Sequence, residues 1–260
     1  MTLTFAIGPV HLDAEGEDLR RRVAMRLVDR LHTSVQVMAA SSYDEVAGLL
    51  ADGGAHFAWM PPAVFVRAEE AGGLRLLAQV ERSGGDGYRG VLFVRPDAGI
   101  STPGDLEGKR IAWVDPSSCA GHLFVRLALK EAGLAPGELF GEQSFVGSHH
   151  SVVQQVVSGK ADAGATHAQT LDGETLLFTG WHPFVGPDGM APLLISAPIP
   201  SDVICASTEL DPDLLDELRE ALLSLHEDDD GELLEEFFGG ARLVGASSAS
   251  YDPVRIAMQE

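Results

Sequence analysis

Leu74-Arg75-Leu76-Leu77-Ala78-Gln79-Val80 is followed by Ser83-Gly84-Gly85-Asp86-Gly87 and then by Val91-Leu92-Phe93-Val94. The two apolar runs read as strands, and the glycine-rich stretch between them reads as a crossing from one structural unit to another. Upstream, strands expected at Leu3–Ile7, Val35–Met38 and Phe57–Met60 alternate with helical patterns. Leu19, Val23, Leu27 and Leu31 recur every fourth residue, which makes one buried stripe. Ser42-Tyr43-Asp44-Glu45 has the form of a capping box, and Pro61-Pro62 suits a helix start, where a missing N–H costs nothing. Leu74–Val80 thus closes a βαβαβ series.

Beyond the glycines the alternation begins again. Strands are expected at Ile111–Val114, around Phe145-Val146 and at Ala161–Ala165, with helices from Gly121 to Ala132 and over the valine-faced stretch that stops at Gly159. The prolines and glycines of Trp181–Gly189 predict the return crossing, followed by strands at Leu193–Ser196 and Val203–Ala206 and a helix from Pro212 to Leu225. The acidic run Glu227–Glu236 reads as a solvated surface, and Tyr251–Met258 as a last helix packed on the first lobe. The expected fold is α/β and two-lobed, each lobe a mainly parallel sheet flanked by helices. Lobe 1 is placed at residues 1–84 with 186–260 and lobe 2 at 85–185, joined by two hinge crossings that predict a ligand cleft between the lobes.

Composition narrows the function. The 39 acidic against 18 basic residues give a formal charge of −21, which repels nucleic acid and anionic lipid surfaces. No apolar run approaches the ~20 residues that span a bilayer, so membrane insertion is not expected. Cys119 and Cys205 stand far apart without zinc-type spacing, so neither a disulfide framework nor a metal site is implied. The opening Met1–Ile7 reads as a strand with no leader before it. The expected location is therefore cytoplasmic as written, or periplasmic if a precursor's signal has been removed.

In open α/β sheets ligands sit beyond the carboxyl ends of strands, where helix N-termini also point. Polar residues at such joins are the candidates. Tyr43 stands at one helix cap, Ser117, Ser118 and Cys119 lead into the helix ending at Ala132, and Gly147, Ser148, His149 and His150 lead into the valine-faced helix. Free N–H groups and about half a positive charge at each helix start favour an anion without a lysine. The duller reading of each serine is a simple cap, and of Tyr43 or Tyr88 a half-buried packing residue.

Gly87-Tyr88-Arg89-Gly90-Val91-Leu92-Phe93-Val94, Gly99 to Lys109, and Asp115-Pro116-Ser117-Ser118-Cys119-Ala120-Gly121 resemble, in order and spacing, the central blocks of phosphonate-type solute-binding proteins of ABC importers. Gly147-Ser148-His149, the following Gly159-x-x-Asp162, and Tyr251-Asp252-Pro253-Val254-Arg255 extend the resemblance. With Tyr43 and Ala58–Pro62 it covers nearly the whole chain. It implies a type II periplasmic-binding-protein fold in which Tyr43, Tyr88, Ser118, Cys119, Ala120 and His149 take the places of ligand-contacting residues. Where the family usually reads Ser-Thr-Ser-Gly, this chain has Ser118-Cys119-Ala120-Gly121, and His56 stands where Asp is common. Each lost charge-assisted hydrogen bond is worth about 1.5–3 kcal/mol, which predicts an altered ligand or role.

The expected function is reversible binding of a small anionic or polar ligand of the phosphate and phosphonate class, without a cofactor, a metal or a catalytic residue. The expected partners are that ligand and an ABC permease, with the protein itself a monomer. Two rivals are a cytoplasmic sensor of the same fold, and an enzyme of the menaquinone-pathway type using His149 or His150 as acid–base group and Cys119 as nucleophile.

Overall fold

The computed structural model describes residues 2–82, 88–228 and 231–259. In chain order the elements are β1 (Thr2–Ile7), α1 (Ala14–Leu31), β2 (Ser34–Ala39), α2 (Tyr43–Ala51), β3 (Phe57–Met60), α3 (Pro62–Ala71), β4 (Leu74–Glu81), β5 (Tyr88–Val94), β6 (Arg110–Trp113), a π-helical turn Cys119–Leu123 running into α4 (Phe124–Glu131), α5 (Pro136–Leu139), β7 (Glu142–Phe145) and α6 (His149–Val157). Then follow β8 (Ala163–Thr170), β9 (Leu176–Thr179), α7 (His182–Val185), β10 (Ala191–Ile195), β11 (Val203–Ser207), α8 (Pro212–Ser224), α9 (Gly231–Phe238), β12 (Arg242–Val244) and α10 (Asp252–Met258).

The chain divides into two compact units, Met1–Ser83 with Ser201–Asp252 and Gly84–Pro200 with Pro253–Glu260. Among the described residues each unit holds one six-stranded sheet, ordered β12-β4-β11-β3-β1-β2 in the first and β10-β5-β8-β6-β7 with β9 on β8 in the second. The α/β architecture of two sheets flanked by helices is as expected from the sequence.

Four expectations need correction or placing. The sheets are mixed rather than mainly parallel. β1 pairs parallel with β2 and β3, and β8 and β7 pair parallel with β6, but β11, β12, β5, β9 and β10 enter antiparallel. β11 arrives from the other unit rather than through a helical crossover, so no βαβ handedness rule fixes its direction. The return does not lie at Trp181–Gly189 and the first unit does not resume at residue 186. That stretch folds locally, with the indole Nε1 of Trp181 donating to the Pro187 carbonyl (3.1 Å). β10 then pairs with β5, and the second unit continues to Pro200. Third, Pro253–Glu260 group with the second unit, not the first, giving a third passage of the chain. The outward crossing at Ser83–Gly87 lies outside the described residues.

The first unit's core explains its pattern. α1 buries Leu19, Val23, Leu27 and Leu31, and Asp13 caps it by accepting from the Gly16 amide (2.8 Å). Phe5 stacks on Phe57 (centroids 4.5 Å apart), and Phe237 and Phe238 of α9 close over Trp59. The acidic run therefore carries a buried stripe on its inner side, with Glu232, Glu235 and Glu236 outside. Tyr251 is fully buried, its hydroxyl donating to the Ser201 carbonyl (2.9 Å), which accounts for the closing motif in the first unit's core.

Candidate functional site

β6 runs parallel to both β7 and β8, so their carboxyl ends lie at one end of the second unit's sheet. The loops leaving β6 and β7 are bonded to each other: the Val146 amide donates to the Trp113 carbonyl (3.0 Å) and the Gly147 amide to the Val114 carbonyl (2.8 Å). Two helix starts are thereby placed side by side. Gly147 sits at φ +84°, a conformation open to glycine and strained for other residues.

At the first join, Asp115 Oδ1 accepts from the Ser117 amide (2.8 Å) and its carbonyl from the Ser118 amide (3.1 Å), a tight Asx-type turn. Ser118 Oγ then accepts from the Gly121 amide (3.0 Å), so the serine is a cap whose hydroxyl hydrogen is still free to turn toward a ligand. Cys119 and Ala120 are buried in the π-helical turn. The turn is pressed against β5: a Cβ on Gly90 would stand 2.7 Å from the Ala120 carbonyl oxygen. Gly90 is therefore required for this approach, a role the sequence pattern does not reveal.

At the second join, Ser148 Oγ accepts from the Ser151 amide (3.1 Å) and donates to Ser151 Oγ (2.8 Å). His149 Nδ1 lies 2.9 Å from Thr166 Oγ1, and its ring meets His167 edge-on at 4.7 Å. Burial pushes His149 down to about 4, with Asp115 pulling weakly the other way, so the imidazole is neutral at pH 7. Tyr88 opens β5 at the same end of the sheet, opposite Gln169, half-buried, with its carbonyl accepting from the Ile199 amide (2.8 Å). The neighbouring cation is turned away: Arg89 is buried on the other face, donating to Thr170 Oγ1 (3.1 Å) and the Ser196 carbonyl (2.9 Å).

The structure thus gathers Tyr88, Ser117, Ser118, Cys119, Ala120, Ser148 and His149 at one end of one sheet. Tyr43 belongs to the first unit, where it opens α2 behind its cap Ser42, whose Oγ accepts from the Glu45 amide (3.1 Å). Its ring lies over Gly8 at the end of β1, where a Cβ would stand 2.1 Å from the ring's Cε1. The Glu45 carboxylate closes the cap on the Ser41 amide (2.6 Å) rather than on Ser42.

Thr166, His167 and Gln169 are missed by the sequence pattern because its apolar run ends at Ala165, whereas β8 continues to Thr170. Alternation of small and polar residues across Thr166–Thr170 is the signal that could have found them. Asp162 of the Gly-x-x-Asp block is structural: it takes two guanidinium contacts from Arg110 (2.8 and 3.0 Å), and this pairing holds its carboxyl down at about 2. Among the described residues no group of three or more His, Cys, Asp or Glu is arranged to hold a metal ion, and no helix is long and apolar enough to cross a membrane.

A family model described as "ABC transporter, phosphonate, periplasmic substrate-binding protein" matches residues 5–251. The phosphate-import protein PhnD of Mycolicibacterium smegmatis is 25% identical over 228 residues, 84% of this chain and 70% of that protein. XAC2383 from Xanthomonas citri, solved bound to chloride ion, superimposes with a TM-score of 0.82 at 21% identity, covering 99% of this chain and 97% of that one. PhnD1 from Prochlorococcus marinus in complex with methylphosphonate gives 0.77 at 17% identity, with the same coverage. At those identities the structures establish a shared fold.

Proposed function

The chain belongs to the phosphonate-type periplasmic substrate-binding proteins of ABC transporters, and from that membership we propose that it takes up a small oxyanion at the adjoining helix starts of its second unit and hands it on unchanged. The observation that carries the proposal is the pair of capped helix starts, Ser118 and Ser148, fastened together through the Gly147–Val114 hydrogen bond. The first amides of a helix have no partner within it, and two such ends add partial positive charge where β6 and β7 stop. Recognition is by neutral donors: backbone amides, the Ser117 and Ser118 hydroxyls, the Tyr88 phenol and uncharged His149. Cys119 and Ala120 contribute backbone and shape, and Ser148 its cap. PhnD of M. smegmatis is named for phosphate import and PhnD1 of P. marinus was solved with methylphosphonate, which supports a tetrahedral phosphorus oxyanion here.

In this role the protein works outside the cytoplasmic membrane, delivers its ligand to an ABC permease and performs no covalent step. His149 faces a threonine hydroxyl and a second imidazole, an arrangement suited to holding a neutral ring in place rather than to activating a nucleophile. Isothermal titration of refolded, ligand-free protein with phosphate, phosphite, methylphosphonate and acetate tests this. One-to-one saturable binding of a phosphorus oxyanion, weakened by Tyr88→Ala, is expected; indifference to all four overturns it.

A further inference from the structure

Paired residues on neighbouring strands project to the same side of a sheet. Tyr88 of β5 is paired with Gln169 of β8, and Gln169 with Phe178 of β9, so the three form one cross-strand row. Two residues along β8, on the same face, His167 is paired with Gly90. A Cβ on Gly90 would project to this face and strike the Ala120 carbonyl, so the turn beginning at Ser118 borders the row. The ring of Phe178 lies 6.1 Å from His167 and within 26° of parallel to it. His167 in turn abuts His149. Phe178 is 39% exposed, its ring also meeting His182 edge-on at 5.2 Å, and Tyr88, His167 and Gln169 are partly buried, so each keeps some surface on this face of the sheet.

We propose that this row is a stacking platform, and that the ligand is an oxyanion bearing a planar aromatic or heteroaromatic group, its charged end at the helix starts and its ring on Phe178 and His167. The proposal rests on the oxyanion reading and adds the chemistry of the other end of the molecule. Three strands at about 4.8 Å spacing give a surface roughly 10 Å wide, ample for one ring system. A methyl substituent leaves that surface wet, whereas a ring covers it, and stacking on an aromatic side chain is worth enough to change affinity on the order of tenfold. Gln169 offers an amide beside the rings for a polar edge of the group.

The test is a pair of isothermal titrations of the full chain at pH 8, with methylphosphonate and with phenylphosphonate, repeated on Phe178→Leu and Phe178→Trp after circular dichroism has shown native folding. Phenylphosphonate is expected to bind about tenfold more tightly. Phe178→Leu, which keeps apolar volume without a ring face, should collapse that ratio to within about twofold, and Phe178→Trp should restore it. Equal affinities in the native protein, or a ratio that survives Phe178→Leu, overturn the platform while leaving oxyanion binding standing. If neither phosphonate binds, the oxyanion reading falls and the platform falls with it.

Discussion

The two units build the same kind of sheet and use its end differently. In the first unit the helix starts close on themselves: Ser42 takes the Glu45 amide, Glu45 takes the Ser41 amide, and the ring of Tyr43 seals Gly8. In the second, the two starts are tied to each other through backbone and are surrounded by Tyr88, His149 and His167, with the nearby Arg89 committed to the opposite face. An aromatic-rich core, Phe5 on Phe57 with Phe237 and Phe238, anchors the first unit. In the second, glycines at 90, 121 and 164 let backbone and side chains approach more closely than any Cβ allows. Both units hold packed rings and close glycine approaches, Phe93 against Trp181 in the second and Gly16 against the His11 backbone in the first, but the Gly90 approach falls at the candidate site.

Substitutions that strike one kind of feature and spare the other sharpen this contrast. Phe57→Ala removes a fully buried, stacked ring from the first unit and should cost about 3–5 kcal/mol in calorimetric or denaturant unfolding. The molecules that remain folded should bind oxyanion with their second-unit geometry intact. Gly90→Ala should cost about 1–3 kcal/mol and also weaken oxyanion binding by more than tenfold, because the atom it meets is the Ala120 carbonyl. Gly8→Ala meets first the side-chain ring of Tyr43 rather than backbone, so titration should show a smaller loss of affinity than for Gly90→Ala. The reverse order would break the comparison.

Acid should act on the second unit through His149. Burial holds its folded value at about 4 against an ordinary 6.5, so as pH falls the unfolded chain binds a proton first. The stability due to the neutral ring is complete above about pH 6.5 and is lost between there and about pH 4. The slope is at most ~1.4 kcal/mol per pH unit. Urea unfolding of native protein and His149→Gln across that range should show a shallower slope in the variant.

The smallest effects separate caps from ligands. Ser42→Ala, Ser118→Ala and Ser148→Ala should each cost about 1 kcal/mol of stability, since each serine caps a helix through its side-chain oxygen. Affinity should fall most for Ser118→Ala, whose hydroxyl hydrogen remains to be donated, and least for Ser42→Ala. Equal effects of all three on binding would reduce the second unit's serines to caps alone.

Much of this architecture is legible in the sequence. The fourfold spacing of Leu19, Val23, Leu27 and Leu31 and the serine caps follow from local rules, and the structure places them accordingly, whereas the ordered blocks from Tyr88 to His149 are legible only as a family resemblance. Where expectation and structure part, local composition misleads. Trp181–Gly189 has the composition of a crossing but folds back through the Trp181–Pro187 bond, and Ala163–Thr170 lacks the bulky residues that mark a long strand.

What the sequence determined by itself is most of the helices and strands, though not β9 or β12, together with the polar residues at several helix starts, because periodicity and capping involve neighbours a few residues apart. What only the tertiary structure decided is strand direction and company. β11 and β10 run antiparallel to partners far back along the chain, Gly90 meets Ala120, and Tyr88, Gln169 and Phe178 fall in one row. Such contacts depend on how three separate strands register, and registration is set by packing across the sheet, which no local pattern records.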